Sequence, residues 1–138
     1  MDIMLSLYDE GYDCAQILMR LVLDAEEKEN PDLIRTLAGL NGGIGGSGHT
    51  CGCMTGGACI ISYVTGKGSD TDMDSPEHKG AMAEFTNWFK EEMTVNYGGT
   101  DCEDITKGNP ARRVELCPGI IADTYQKCME ILSDRGLL

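Results

Sequence analysis

The stretch Gly42-Gly43-Ile44-Gly45-Gly46-Ser47-Gly48-His49-Thr50-Cys51-Gly52-Cys53-Met54-Thr55-Gly56-Gly57, with Cys59 just beyond it, decides how the chain reads. From Thr36 to Gly66 there is no Asp, Glu, Lys or Arg, although a quarter of the chain is charged. An uncharged segment of this length belongs inside a protein. Its glycines permit backbone conformations closed to other residues and let neighbouring chains approach, while its thiols are the most reactive groups present. From Cys51 to about Thr65 the pattern predicts a helix apolar on all sides and therefore central, with Thr50 as its cap. Gly52 and Gly56 lie four residues apart on one face of it, where another backbone can come close; they are weak candidates for cofactor approach.

Working outward, helical spacing covers the first ten residues and stops at Gly11-Tyr12. Asp13 followed three residues later by Gln16 is a capping box that opens a second helix at Cys14, running to about Glu29. Asn30-Pro31 starts another that continues to Leu40 and ends at Asn41-Gly42-Gly43. Ser75-Pro76 opens a helix with Met82, Phe85, Phe89 and Met93 as its apolar stripe, broken by Gly98-Gly99. Thr100-Asp101 caps a short helix at Cys102, Lys107 to Arg113 is a loop, and Cys117-Pro118 begins the last helix, stopped by Gly136. No alternating strand pattern appears. The expectation is an all-α fold: one domain over residues 1–138, a bundle of five to six helices around the apolar helix that starts near Cys51.

The chain has 138 residues, 23 acidic and 11 basic, for a net charge of -12. That sign argues against nucleic acid and anionic membrane surfaces as partners. No signal peptide is visible and no apolar run reaches the ~20 residues of a spanning helix, so a soluble cytoplasmic protein without membrane insertion is expected. Seven cysteines in a reducing compartment point to metal binding or redox work rather than structural disulfides. Cys14, Cys51, Cys102 and Cys117 each fall at or next to an expected helix N-terminus, where unpaired N-H groups and the helix dipole favour a thiolate. Cys59 and Cys128 lie mid-helix on apolar surfaces and read as small core residues. Cys53, two residues from Cys51, adjoins the site.

The arrangement Gly11-Tyr12-Asp13-Cys14-Ala15-Gln16, then Cys51-Gly52-Cys53-Met54-Thr55-Gly56, then Cys102 and Cys117, resembles the C_GCAxxG_C_C family, proteins assigned redox activity from their cysteines. The resemblance covers nearly the whole chain. It implies that the working thiols, and the ligands of any metal, are Cys14, Cys51, Cys102 and Cys117, with Cys53 standing where the motif has alanine. Two redox readings follow: an iron-sulfur cluster held by the four thiolates, or dithiol-disulfide exchange with a redox partner protein. A structural zinc is the non-redox alternative, although the C-x2-C pairs typical of such sites are missing. The oligomeric state, the electron donor and the acceptor are not legible. Gly43 to Gly48 also fits G-x-G-x-x-G, but no strand precedes it, which argues against a dinucleotide site. His49 is a loop histidine near Cys51, and His78 is expected on the surface.

Overall fold

The computed structural model describes residues 2–138, and Met1 lies outside the described part of the expected first helix. Seven α-helices form among the described residues, and no strand. They are α1 (Asp2–Asp9), α2 (Cys14–Ala25), α3 (Pro31–Leu37), α4 (Gly52–Thr65), α5 (His78–Tyr97), α6 (Cys102–Thr106) and α7 (Arg113–Asp134). The all-helical expectation holds, but the described residues carry seven α-helices, the short α1 and α6 included, rather than a bundle of five to six.

Local chemistry accounts for most boundaries. The Asp13 side chain accepts the Cys14 N-H at 2.7 Å and Gln16 Oε1 accepts the Asp13 N-H, so α2 opens on the expected capping box. It stops at Ala25, four residues short of Glu29, with Glu26 as its cap. Asn30 Oδ1 caps α3 through the Leu33 N-H, and Pro31 stands at the first helical position, where its missing N-H does no harm. A 3-10 turn, Ala38–Leu40, then replaces the last turn expected of that helix. Helix α5 starts at His78 rather than at Ser75-Pro76, which form the turn before it; Gly98, at φ +86°, ends it as expected.

Helix α4 is central. It packs against α2, α5 and α7, and Tyr63 is its one exposed residue. Three glycines make this possible. A Cβ on Gly52 would collide with Cys14 Sγ, one on Gly57 with the Phe85 ring, and one on Gly56 would lie 3.0 Å from the Ala15 Cα. Gly52 and Gly56 therefore seat α2, while Gly57 seats α5. Fully buried Ile17, Leu18, Ile60, Ile61, Phe85, Phe89, Ile121 and Leu132 fill the space around α4, and burying each side chain of this kind contributes roughly 1.5–3 kcal/mol.

The final helix departs most from the sequence reading. It begins at Arg113, not at Cys117-Pro118, and a 3-10 turn at Pro110–Arg112 leads into it. Asn109 Oδ1 accepts the Ala111 N-H and so caps the whole unit. Cys117 consequently sits one turn inside α7, with Pro118 also within the helix. His78 is half-buried, with Nδ1 2.7 Å from Thr65 Oγ1, and is not the surface residue expected.

Candidate functional site: a thiol cluster under the glycine loop

The glycine loop leaves the 3-10 turn through five consecutive residues of positive φ, Gly42 to Gly46, with φ between +59° and +79°. Four are glycine, which adopts this region freely; Ile44, at +68°, does so at a cost. The turn is closed by its own hydrogen bonds, Gly46 N-H to Asn41 O and Gly48 N-H to Gly42 O among them. Asn41 fastens it to α2: its Oδ1 accepts the Ala15 N-H and its Nδ2 donates to Gln16 Oε1. As a result the Gly42 N-H points at Cys14, where its hydrogen bond favours the thiolate.

Beyond the loop the chain runs antiparallel to residues 100–102. Thr50 pairs with Asp101, the Cys51 N-H donates to Thr100 O at 2.9 Å, and the Cys102 N-H donates to His49 O at 2.6 Å. Cys51 and Cys102 thus occupy diagonal positions on one face of a short ladder. Cys51, not Thr50, is the N-cap of α4, and its Sγ accepts the Cys53 N-H at 3.4 Å. A sulfur in the capping position receives the donors that a serine or aspartate oxygen receives elsewhere.

Five thiols share this corner. Cys14, Cys51, Cys53 and Cys117 are buried and Cys102 is partly exposed; all seven cysteines are free thiols. Cys53 is the hinge of the set. Its thiol acts on those of Cys14 and Cys51 and lowers both: Cys14 falls from 9.0 to about 7, helped by the Gly42 N-H and by Arg113 against burial and Asp13. Cys51 falls as well, with the Cys53 and Met54 N-H groups assisting against burial and the Cys14 charge. Cys53 itself rises well above the usual thiol range, first through Cys14, then through Cys51, then through burial.

The remaining two thiols behave differently. Burial pushes Cys117 up to about 12, with the Cys14 and Cys51 charges adding and Arg113 opposing. Burial also raises Cys102, where Arg113 again opposes. Placement at a helix N-terminus therefore does not activate every cysteine as expected: α6 has only five residues, and Cys117 is not at a terminus. Cys128 is buried, held up to about 12 by burial, and its thiol donates to Gly57 O at 3.6 Å. Cys59 is half-buried rather than buried, and burial raises it. His49 is exposed; its contribution is the carbonyl that accepts the Cys102 N-H.

Arg113, which the sequence places only at the end of a loop, is the cation of the site. Its Nη2 pairs with Asp13, and Asp13 raises the guanidinium against the lowering effect of burial. Its charge bears on Cys14, Cys102, Cys117 and Tyr8. Tyr8, on α1, is pushed up to about 12 by burial and by Asp13. A hollow of about 270 Å³ opens beside Arg113 and Cys102. A larger one, about 510 Å³, lies between α2 and α3, but no cysteine lines it; the smaller hollow is lined by one, Cys102.

Among the described residues no three of the His, Cys, Asp and Glu side chains are grouped so as to hold a metal ion, and no helix is long and apolar enough to cross a membrane. The family profile described as "Putative redox-active protein (C_GCAxxG_C_C)" matches residues 12–131. No match is found among curated proteins or among solved structures. The pattern in that description runs Gly-Cys-Ala-x-x-Gly, and Gly52-Cys53-Met54-Thr55-Gly56-Gly57 fits it with Met54 at the alanine. In this register the motif cysteine is Cys53 and Cys51 is the additional thiol, the reverse of what the sequence alone suggests. The motif's two glycines, Gly52 and Gly57, are also the two positions on α4 where a Cβ would meet the sulfur of Cys14 and the ring of Phe85.

Proposed function

The chain belongs to the C_GCAxxG_C_C family, and from that premise we propose that it is redox-active and transfers electrons by dithiol-disulfide exchange, with Cys14 and Cys53 as the exchanging pair. One observation carries this reading: Cys53 is buried beside Cys14 and Cys51, lowering both of those thiols while its own is raised. Cys14 at about 7 is substantially thiolate near neutral pH, close to the optimum for an attacking thiol. Its sulfur attacks a disulfide of a redox partner protein; one partner sulfur leaves as thiolate with the electron pair. Cys53, relieved of its proton by the Cys51 thiolate, then attacks the Cys14 sulfur and expels the second partner sulfur. The partner gains two electrons, its two thiolates taking one proton from Cys51, which received it from Cys53, and one from solvent, and the protein keeps a Cys14–Cys53 disulfide. Cys51 acts as the base, and two residues of separation make a Cys51–Cys53 bridge the strained choice. A reducing cytoplasm would return the pair to the dithiol.

A second reading rests on the donor set. Thiolates are the ligands of iron-sulfur clusters, and Cys14, Cys51, Cys102 and Cys117, with Cys53 adjoining, would have to turn toward a common point to hold one, which would supply single-electron transfer. A structural zinc faces the same requirement and fits less well, because the C-x2-C pairs typical of such sites are missing.

Anaerobic purification followed by an absorption spectrum, metal analysis and redox titration with mass mapping separates the readings. The exchange proposal expects a reversible two-electron Cys14–Cys53 disulfide in metal-free protein, abolished in Cys53→Ser. Stoichiometric iron and sulfide with visible absorption would replace it with the cluster reading.

A further inference from the structure

The hollow beside Cys102 has a composition that the exchange of electrons between proteins does not use. It is lined by Gly42, Gly46 and Gly48 together with Cys102, Glu103 and Arg113. At about 270 Å³ it has room for roughly nine waters at ~30 Å³ each, the size of a small metabolite and far below that of a protein loop. Three features make it more than a surface dent. Cys102 is the one thiol of the five with exposure to solvent. Arg113 directs Nη2 at Asp13, while its Nη1 lies beside Gly42, which lines the hollow, so the guanidinium borders the space. Glu103 supplies a carboxylate to the same lining, close to Gly48. A cation, an anion and a thiol thus border one small space, with glycines that leave it open.

We propose that this hollow binds a small zwitterionic disulfide of the α-amino-acid type, its carboxylate toward Arg113 and its ammonium toward Glu103, and presents it to Cys102. Cys102 gives its proton to solvent, and its sulfur forms an S–S bond with the nearer sulfur of the ligand while the ligand's own S–S bond breaks. The other half leaves as a thiolate with the electron pair and takes a proton from solvent. Glu103 explains why a merely anionic ligand is a poor fit, since a carboxylate on the wall repels it. This site rests on the thiol reading of the protein, but not on the Cys14–Cys53 pair.

Three disulfides of nearly equal length test it: cystine, which carries both groups, 3,3′-dithiodipropionate, which lacks the ammonium, and cystamine, which lacks the carboxylate. The rate of mixed-disulfide formation at Cys102 is followed by mass spectrometry on the intact, reduced, metal-free protein and divided by the rate at the same residue in unfolded protein. Cystine is expected to lead each of the other two by about tenfold. Arg113→Gln should remove its lead over cystamine, and Glu103→Gln its lead over dithiodipropionate; Arg113→Lys should keep most of the first. A flat series in the wild type, or cystamine or dithiodipropionate equal to cystine, overturns the proposal, and it does so even where Arg113→Gln fails to fold. Because selectivity is read at Cys102 in single turnover, a flat series leaves the Cys14–Cys53 proposal standing, and loss of that reversible disulfide leaves the selectivity intact.

Discussion

Arg113 reaches back one hundred residues to the carboxylate of Asp13, the residue that caps the helix carrying Cys14. The pair clamps the start of α7 to the start of α2, and both side chains are about one-quarter exposed. It therefore sits between a surface pair and a buried one, and Arg113→Gln is expected to cost on the order of 1 kcal/mol in denaturant unfolding. The same substitution removes the cation beside Cys14, whose thiol should titrate higher. The rise should be smaller than in Cys53→Ala, because the Cys53 thiol is the largest influence on Cys14 and Arg113 the least of those acting on it. Alkylation rate against pH, resolved by peptide mass, orders the two variants; a larger shift in Arg113→Gln would show that charge, not the neighbouring thiol, sets the Cys14 value.

Stability should respond to pH in two opposite senses. Cys14 is lowered from 9.0 to about 7, so its deprotonation favours the folded state; the stabilisation is complete above about pH 9 and fades as pH falls through 7. Two units correspond to roughly 2.7 kcal/mol at most. Cys117 and Cys128 are raised to about 12, so their contribution is complete below pH 9 and is lost as pH climbs toward 12. Reduced, metal-free protein is expected to gain stability from pH 7 toward 9 through Cys14 and Cys51, then lose it above 9. Urea midpoints at fixed ionic strength measure this, and Cys14→Ser should flatten the gain while leaving the alkaline loss.

How much of this is legible in the sequence depends on how local each signal is. The capping box at Asp13 and Gln16, the absence of charge around α4 and the stop at Gly98 are all local, and the helices they predict are present. Asn30-Pro31 reads as a helix start, yet the identical Asn109-Pro110 reads as a loop because Gly108 precedes it, and Pro118 then competes for the first helical position of α7. That choice places Cys117 at a dipole it does not feel. Arg113 is invisible for a different reason: its partner lies one hundred residues away. The linking role of Cys53 is hidden because Cys51 is a cap and not a helical residue, so the usual angular separation of i and i+2 does not apply to the pair.

The glycines separate into those that make room and those that do not. Gly52→Ala would drive a methyl into Cys14 Sγ and to 2.9 Å from Leu40 O, and Gly57→Ala would drive one into Phe85. Each should cost about 1–3 kcal/mol, as overpacking does, and Gly52→Ala should also raise the Cys14 thiol by displacing it from its donors. Gly119, in α7 with nothing within 4 Å of where a methyl group would sit, should instead gain roughly 0.5–1 kcal/mol as alanine. Thermal unfolding of the three variants checks the contrast; equal effects would mean that α2 and α5 do not pack on α4 through these positions.

Ile44 offers the last test, because it is the one side chain that the left-handed turn carries without glycine's freedom. Its φ of +68° lies in a region that costs a β-branched residue on the order of 1–2 kcal/mol, and its side chain is 47% exposed, so little burial offsets the cost. Ile44→Gly should relieve the strain while enlarging the entropy of the unfolded chain by up to about 1 kcal/mol, leaving a net change between zero and modest stabilisation. Ile44→Pro should unfold the turn outright, since proline cannot adopt positive φ. The decisive measurement is the Cys14 titration in the glycine variant. The Gly42 N-H that favours the Cys14 thiolate is aimed by the turn and not by the Ile44 side chain, so the midpoint is expected to stay at about 7. A midpoint that climbs toward 9.0 in a folded Ile44→Gly protein would mean that the isoleucine itself holds the turn against the thiol.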